Sequence, residues 1–368
     1  MVSSGAQPDR SAGRSRRRWL WLGARLALFA ALAYVAVQVV RSNSAELSGA
    51  SDYLAAASPP WVAAALLAEA ASYLNFTLLQ RRLLAAGGLR VRIGPLVAMS
   101  LAGNAMTNTL PGGGAFATVF AYRQFRRRGA DEALTTWTLV AFTALTAVTL
   151  AVVCLVGLLI AGGGPIGELG PLMVLLIIGP AIGVAVLLRP RTLRVLLTGP
   201  LTLCRRVTGF PRSVPRRFLA ELIERLETVT PRPIDWAAGL AFAAGNWVSD
   251  CACLVLAFEA VGAAVPWRGL LVAYGAAQIA ANLPVTPGGL GVVEGSLTVA
   301  LVAFGGPTAQ TVAAVLLYRI MSFWLVLPIG WLAWLGLRLD ARRHPLEEVP
   351  VIDAESDLDR LATVGAAS

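Results

Sequence analysis

Apolar residues in this chain gather into runs separated by short, arginine-bearing connections. A run of about 20 apolar residues is what an α-helix needs to cross the hydrocarbon of a bilayer. Six stretches approach this length: Trp19 to Val40, Trp61 to Leu79, Leu134 to Ile160, Leu172 to Leu188, Ile234 to Phe258 and Val312 to Leu335. Two further apolar stretches do not run through. Pro95 to Leu110 stops at LPGGG (Leu110–Gly114), and Leu270 to Phe304 is interrupted by NLPVTPGGLGVVEG (Asn282–Gly295). Glycine and proline in such density end a helix rather than bend it.

Arginine placement orients these runs, because positive residues stay on the cytoplasmic side. The basic cluster Arg14, Arg16, Arg17 and Arg18 puts the N-terminus inside. The run after it is too long for the core of a cleaved signal peptide and is read as a retained span. Ser42–Leu54 has acids and no arginine between its ends, as an outer loop should. Arg81, Arg82, Arg90 and Arg92 return the chain inside, and Arg123, Arg126, Arg127 and Arg128 follow the LPGGG break. Both ends of that broken stretch are therefore inside, which describes a re-entrant helical hairpin. Such backbone is permitted at membrane depth only where protein or a cavity shields it.

The same reasoning carries the chain out through Leu134–Ile160 and back through Leu172–Leu188 to an arginine-rich inner segment. There Pro215–Val229 repeats its apolar residues at helical spacing,. It is either an amphipathic helix on the inner membrane surface or an ordinary helix packed on the bundle. The second broken stretch begins and ends outside, and Arg338, Arg342 and Arg343 put the C-terminal tail inside. The predicted fold is an all-α polytopic membrane protein of about six full spans plus two oppositely oriented re-entrant hairpins. Its divisions are a basic cytoplasmic tail (1–18), a transmembrane domain (19–338) with a cytoplasmic amphipathic segment at about 212–230, and a disordered acidic cytoplasmic tail (339–368).

The two breaks also match each other. Gly88 and Gly262 each follow a span and precede an asparagine, Asn108 or Asn282, by the same distance. TNTLPGGG (Thr107–Gly114) then aligns with ANLPVTPGGLG (Ala281–Gly291), and the preceding spans open on Trp61 and Trp236. Repeat one covers about 60–128 and repeat two about 234–306. With one copy entering from inside and the other from outside, this is an inverted-topology repeat. Interrupted helices in such repeats point to a substrate site near the bilayer midplane.

Composition agrees. The 368 residues are 57% hydrophobic and 14% charged, with a mean hydropathy of +0.68, against about 25% charged in soluble domains. The net charge is +10, and all 31 basic residues are arginine. They flank apolar runs, so orientation and anionic headgroups explain them better than nucleic acid does. His344 is the only histidine, and Cys154, Cys251 and Cys253 lie in apolar runs, so no metal site is expected and no cofactor,.

Charges inside spans are costly and are functional candidates. Glu69, Asp250, Glu294 and Arg319 stand out. Arg319 can pair with Glu294 or Asp250, meet a lipid phosphate or carboxylate, or form a purely structural ion pair. Asn108 and Asn282 sit where amides can satisfy backbone groups freed by a helix end. Gly112, Gly113, Gly114, Gly288, Gly289 and Gly291 allow close backbone approach, with Pro287 beside them as a further candidate, and N–H groups at the following helix start favour an anion. Arg123 lies just past the first break and is placed to hold a headgroup phosphate. Gly289-x-Gly291-x-x-x-Gly295 lacks the spacing of a dinucleotide loop, and no nucleophile–base set is visible, so an enzyme is not expected.

LPVTPGGLGVVEGSL and LPGGGAFATVFAYRQFRRRG resemble the lysylphosphatidylglycerol synthase transmembrane-region family, over about Ala30 to Arg338. Pro287, Gly288, Gly289, Leu290, Gly291, Glu294 and Gly295 carry its P-G-G-L-G-x-x-E-G pattern. An acid often found after the first glycine break is absent, with Ala115 to Thr118 in its place. The resemblance implies a flippase-like membrane domain. The chain ends about 30 residues after its last span, so the soluble synthase domain of full-length members is not expected. The expected function is binding and translocation of a phospholipid or lipid-linked headgroup across the cytoplasmic membrane. The alternatives are a non-transporting partner of an envelope-biosynthesis enzyme and an ion-coupled small-solute transporter.

Overall fold

A computed structural model describes residues 44–110, 112–162, 231–281 and 286–343. The first predicted span, Leu172–Leu188, Pro215–Val229, Asn282 and the tail from His344 onward lie outside the described residues, while 339–343, expected in the disordered tail, are helical. Every regular element within them is helical: α1 (Ser44–Ala55), α2 (Pro59–Ala86), α3 (Ile93–Thr109), α4 (Gly113–Arg127), α5 (Glu132–Ala161), α6 (Pro233–Ala260), α7 (Trp267–Ala281), α8 (Val292–Ala303), α9 (Thr308–Arg319) and α10 (Val326–Arg343). A 3₁₀ turn at Pro287–Gly289 precedes α8, and a π turn at Ile320–Trp324 joins α9 to α10. Four stretches are long and apolar enough to cross a membrane: α2, α5, α6 and the continuous Thr308–Asp340. Leu67, Leu159, Val299 and Leu332 are each about 70% exposed on their helices, an outward apolar surface suited to lipid and unsuited to water. The chain is a multi-pass membrane protein.

Two further boundaries differ from the sequence reading. Ser42–Leu54, expected as a loop, contains α1, which rests on α9; a Cβ on Gly49 would stand 3.6 Å from Ala309 Cβ, and Ala50 is buried. Its polar composition conceals it, because docking rather than propensity holds a 12-residue helix,. Helix α2 runs past Arg81 and Arg82 before it ends at Gly87. Arg82 does not stop the span, because Asp235 of α6 meets it at 2.7 Å.

The halves of the chain end their helices in the same way. At the end of α2, the N–H of Leu89 donates to Leu84 O and that of Gly88 to Ala85 O. At the end of α6, Ala263 donates to Phe258 O and Gly262 to Glu259 O, each 174 residues further on. Gly88 and Gly262 both take positive φ, 88° and 67°, the left-handed turn that glycine permits at a helix end. The match continues at the far end of the repeat. Gly129 and Gly305 (φ 91° and 95°) close α4 and α8 with matching bonds, to Arg126 O and Val302 O.

Packing relates the halves directly. Helices α2 and α6 cross antiparallel, with Arg82 near the end of one on Asp235 near the start of the other. At their crossing Ser72 Oγ donates to Asn246 Oδ1 at 3.1 Å, and these residues are themselves 174 apart. Each broken helix then packs on the long span of the opposite half. Gly330 of α10 lies on the Leu101 carbonyl of α3, and Gly275 of α7 lies on Cys154 of α5. A side chain at either glycine would collide. Two apolar cores result, one around Leu254, Tyr274 and Leu301, the other around Leu83, Phe125 and Trp137.

Candidate functional site

Helix α3 ends at Leu110, and Gly112, at φ 69°, turns the chain into α4. Gly113 packs so closely on the Met106 and Thr107 carbonyls that a Cβ would overlap them. In the second half Gly288, Gly289 and Gly291 all have positive φ, 62°, 67° and 79°. Gly288 also brings the two breaks together. A Cβ there would sit 2.9 Å from Asn108 O and would overlap the Phe323 ring. The hairpin tips from the two halves thus touch, and only glycine fits between them.

Glu294 is the third residue of α8 and accepts the N–H of Gly291 at 2.7 Å. A carboxylate there satisfies an orphan donor and meets the positive end of the helix dipole. Its other oxygen accepts from Arg319 Nε at 2.6 Å, while Arg319 Nη2 donates to Gly288 O at 3.1 Å. The guanidinium lies 4.3 Å from the centre of the Phe323 ring, a cation–π contact. Arg319 therefore pairs with Glu294 and not with Asp250, and it ties α9 to the broken backbone of the second half. The π turn begins at the next residue; such turns widen a helix and let side chains reach inward.

Asp250 has its own partners. Tyr274 Oη donates to it at 2.5 Å, Gln278 Nε2 at 2.7 Å and Tyr318 Oη at 3.1 Å. Glu69 lies within hydrogen-bonding reach of Asp250 and of Cys253. Both acids are buried, at 6% exposure for Glu69 and 8% for Asp250.

Glu69, Asp250, Gln278, Tyr318 and Arg319 border one cavity of about 590 Å³, within the usual range of ligand sites. Both halves line it. Glu69, Asp250 and Arg319 are its charged residues, and Asn104, Asn108, Asn246 and Gln278 supply amides. Hydroxyls come from Thr118, Thr143, Thr146 and Ser322, and aromatic walls from Tyr73, Phe142 and Trp247. Several lining positions correspond between halves: Asn104 with Gln278, Tyr73 with Trp247, Phe142 with Tyr318. Phe76 meets Phe142 edge to face, with ring centres 4.7 Å apart. The corresponding contact in the second half is Asp250 with Tyr318. One scaffold thus presents an apolar contact on one side and a hydrogen-bonded carboxylate on the other.

Arg123 does not join this site. It is exposed on α4 and absent from the cavity wall, because its neighbours Ala121 and Phe125 take the inward face. Asn108 Nδ2 donates to Asn104 Oδ1 at 2.7 Å rather than to freed backbone, since Asn104 stands one turn earlier on the same face. Pro287 opens the 3₁₀ turn. Tyr274, Gln278 and Tyr318 were not singled out in the sequence. Gln278 is recoverable by carrying the repeat offset back to Asn104; Tyr318 carries no signal beyond its place next to Arg319, and Tyr274 carries none. Among the described residues no cluster of three or more metal-ligating side chains occurs.

A UPF0104 membrane protein of Methanothermobacter thermautotrophicus is 32% identical to the chain over 85 residues, which are 23% of this chain and 25% of that protein. The match thus spans a quarter of the relative's length. The family described as lysylphosphatidylglycerol synthase TM region matches residues 23–330, nearly the whole membrane portion. The chain belongs to the lysylphosphatidylglycerol synthase transmembrane-region family.

Proposed function

We propose that this protein moves the polar headgroup of a phospholipid or lipid-linked substrate across the cell membrane, through the cavity between its halves, while the acyl chains stay in lipid. The observation that carries this reading is the meeting of Gly288 with Asn108 beside a polar cavity lined by both halves. A headgroup needs hydrogen-bonding partners at a depth where lipid offers none, and the hydroxyls and amides of the lining provide them. The family assignment supports lipid handling.

In the same reading, α3–α4 and α7–α8 are re-entrant hairpins entering from opposite faces, and the halves form an inverted repeat beside about six spans. Both termini are cytoplasmic. The antiparallel crossing of α2 and α6 at equivalent residues supports this arrangement, because a two-fold axis across the helices inverts one half relative to the other. The protein acts as a transporter rather than an enzyme, with Arg319, Glu294 and the glycine breaks shaping the passage.

The test is leaflet exchange in liposomes containing the purified full chain, with a fluorescent phosphatidylglycerol reporter quenched from outside. Arg319→Ala and Glu294→Gln each slow exchange at least tenfold if the site is right. Wild-type rates in both variants would reject it. Co-purification with an envelope enzyme without lipid movement would favour the partner role, and gradient-driven uptake of a water-soluble compound would favour solute transport.

A further inference from the structure

The cavity holds a second charged pair that the headgroup reading does not use. Glu69 and Asp250 face each other across the α2–α6 crossing. Both oxygens of Asp250 are engaged by Tyr274, Gln278 and Tyr318, the pattern of an ionised, acceptor-only carboxylate,. Glu69 is the opposite case: its Oε2 is buried and has no hydrogen-bond partner among the described residues. Arg319 acts on Asp250 only through space, because its guanidinium is bonded to Glu294 and Gly288, so among the described residues no cation is bonded to either acid. Two buried carboxylates within hydrogen-bonding reach of each other hold one proton between them rather than two charges,. The other titratable and charged groups facing them are Tyr73 on α2, Cys251 and Cys253 on α6, Tyr274 on α7, and Tyr318 and Arg319 on α9.

We propose that Glu69 and Asp250 form a one-proton site whose loading and release drive the headgroup movement with the proton gradient. The coupling rests on the reading under "Proposed function"; the site itself does not. The proton comes from water on one side of the membrane and returns to water on the other. Only an O–H bond is made and broken, and nothing is oxidised. Glu69 borders the cavity, which supplies the path. The positions corresponding to Glu69 and Asp250 in the other half are Ala243 and Phe76, so the repeat does not duplicate the pair and one site serves the molecule. A sodium ion would need several free oxygens, and the donors around Asp250 already occupy its lone pairs.

Two measurements test this. Infrared titration of the purified full chain detects the carbonyl stretch of a protonated buried carboxyl at neutral pH. That band is expected in the wild type and lost in Glu69→Gln; its absence from the wild type, or its persistence in the variant, overturns the site. Asp250→Asn guards against a misfolded first variant, because it removes the partner acid and must shift or abolish the band. The second measurement uses the same liposomes with the fluorescent phosphatidylglycerol reporter and an imposed difference of one pH unit. One proton per lipid skews the leaflet distribution by up to about tenfold, and Glu69→Gln brings the skew to unity. An equal skew in the variant, or a skew produced by sodium alone, overturns proton coupling. If the wild type moves no lipid, the headgroup reading and the coupling fall together, while the infrared band still decides whether the site exists.

Discussion

Ser72 donates a hydrogen bond to Asn246, its own counterpart 174 residues along the chain. A contact between equivalent positions places a two-fold axis between them, as it does in a symmetric dimer. Because α2 and α6 run antiparallel there, the axis lies across the helices.

In the proposed inverted arrangement, positions related by that axis lie on opposite faces of the membrane. Arg90 and Ala264 are such a pair, and both are exposed. In a background with Cys154, Cys204, Cys251 and Cys253 replaced, we expect Arg90→Cys and Ala264→Cys to react with an impermeant maleimide from opposite sides of sealed vesicles. Labelling of both from one side would contradict the inverted arrangement.

The Arg319–Glu294 bridge is buried, with side chains 9% and 20% exposed. Removing one member of such a pair strands the other charge, at a cost of about 3–5 kcal/mol. Arg319→Met or Glu294→Gln alone should therefore destabilise the protein strongly in detergent unfolding. The double variant should cost clearly less than the sum. Additive single effects below about 1 kcal/mol, the scale of an exposed pair, would show that the bridge is solvated.

Gly288 combines a left-handed torsion with a close approach to Phe323 and Asn108. Gly288→Ala should lower stability by about 1–3 kcal/mol, the scale of a strained backbone position, and slow lipid exchange with it. Gly295, which has nothing within 4 Å of a would-be Cβ, supplies the control: Gly295→Ala should leave melting temperature and exchange near wild type.

Interlocking of the halves makes a separate prediction. A Cβ on Gly157 of α5 would stand 2.8 Å from Val272 N and 2.9 Å from Leu271 Cβ on α7. Gly157→Val should then cost about 1–3 kcal/mol, as overpacking does, although the residue is far from the charged cavity. A neutral result in thermal unfolding would mean that α5 and α7 separate easily.

Much of this architecture was legible in the residues. Long apolar runs could only be membrane helices, because backbone polar groups must be satisfied within the segment. The glycine breaks showed where helices stop, since glycine accepts the positive φ found at Gly112, Gly288 and Gly291 far more readily than other residues,. Glu69, Asp250, Glu294 and Arg319 declared themselves by the cost of charge within an apolar run. Less visible was α1, whose sequence is polar and whose helix depends on α9. Arg123 misled because adjacency to a break in sequence says nothing about which face of α4 turns inward.

By itself, then, the sequence indicated the long apolar helices and the positions of their interruptions, and suggested a repeat, because hydrophobic length, glycine torsions and residue spacing are local properties. Only the tertiary structure decided which charges meet. Arg319 joins Glu294 rather than Asp250, Asp250 gathers two tyrosines and a glutamine, and Gly288 reaches Asn108. Those pairings depend on how antiparallel helices cross and how each half packs its broken helix on the other. No spacing within a single helix can encode that.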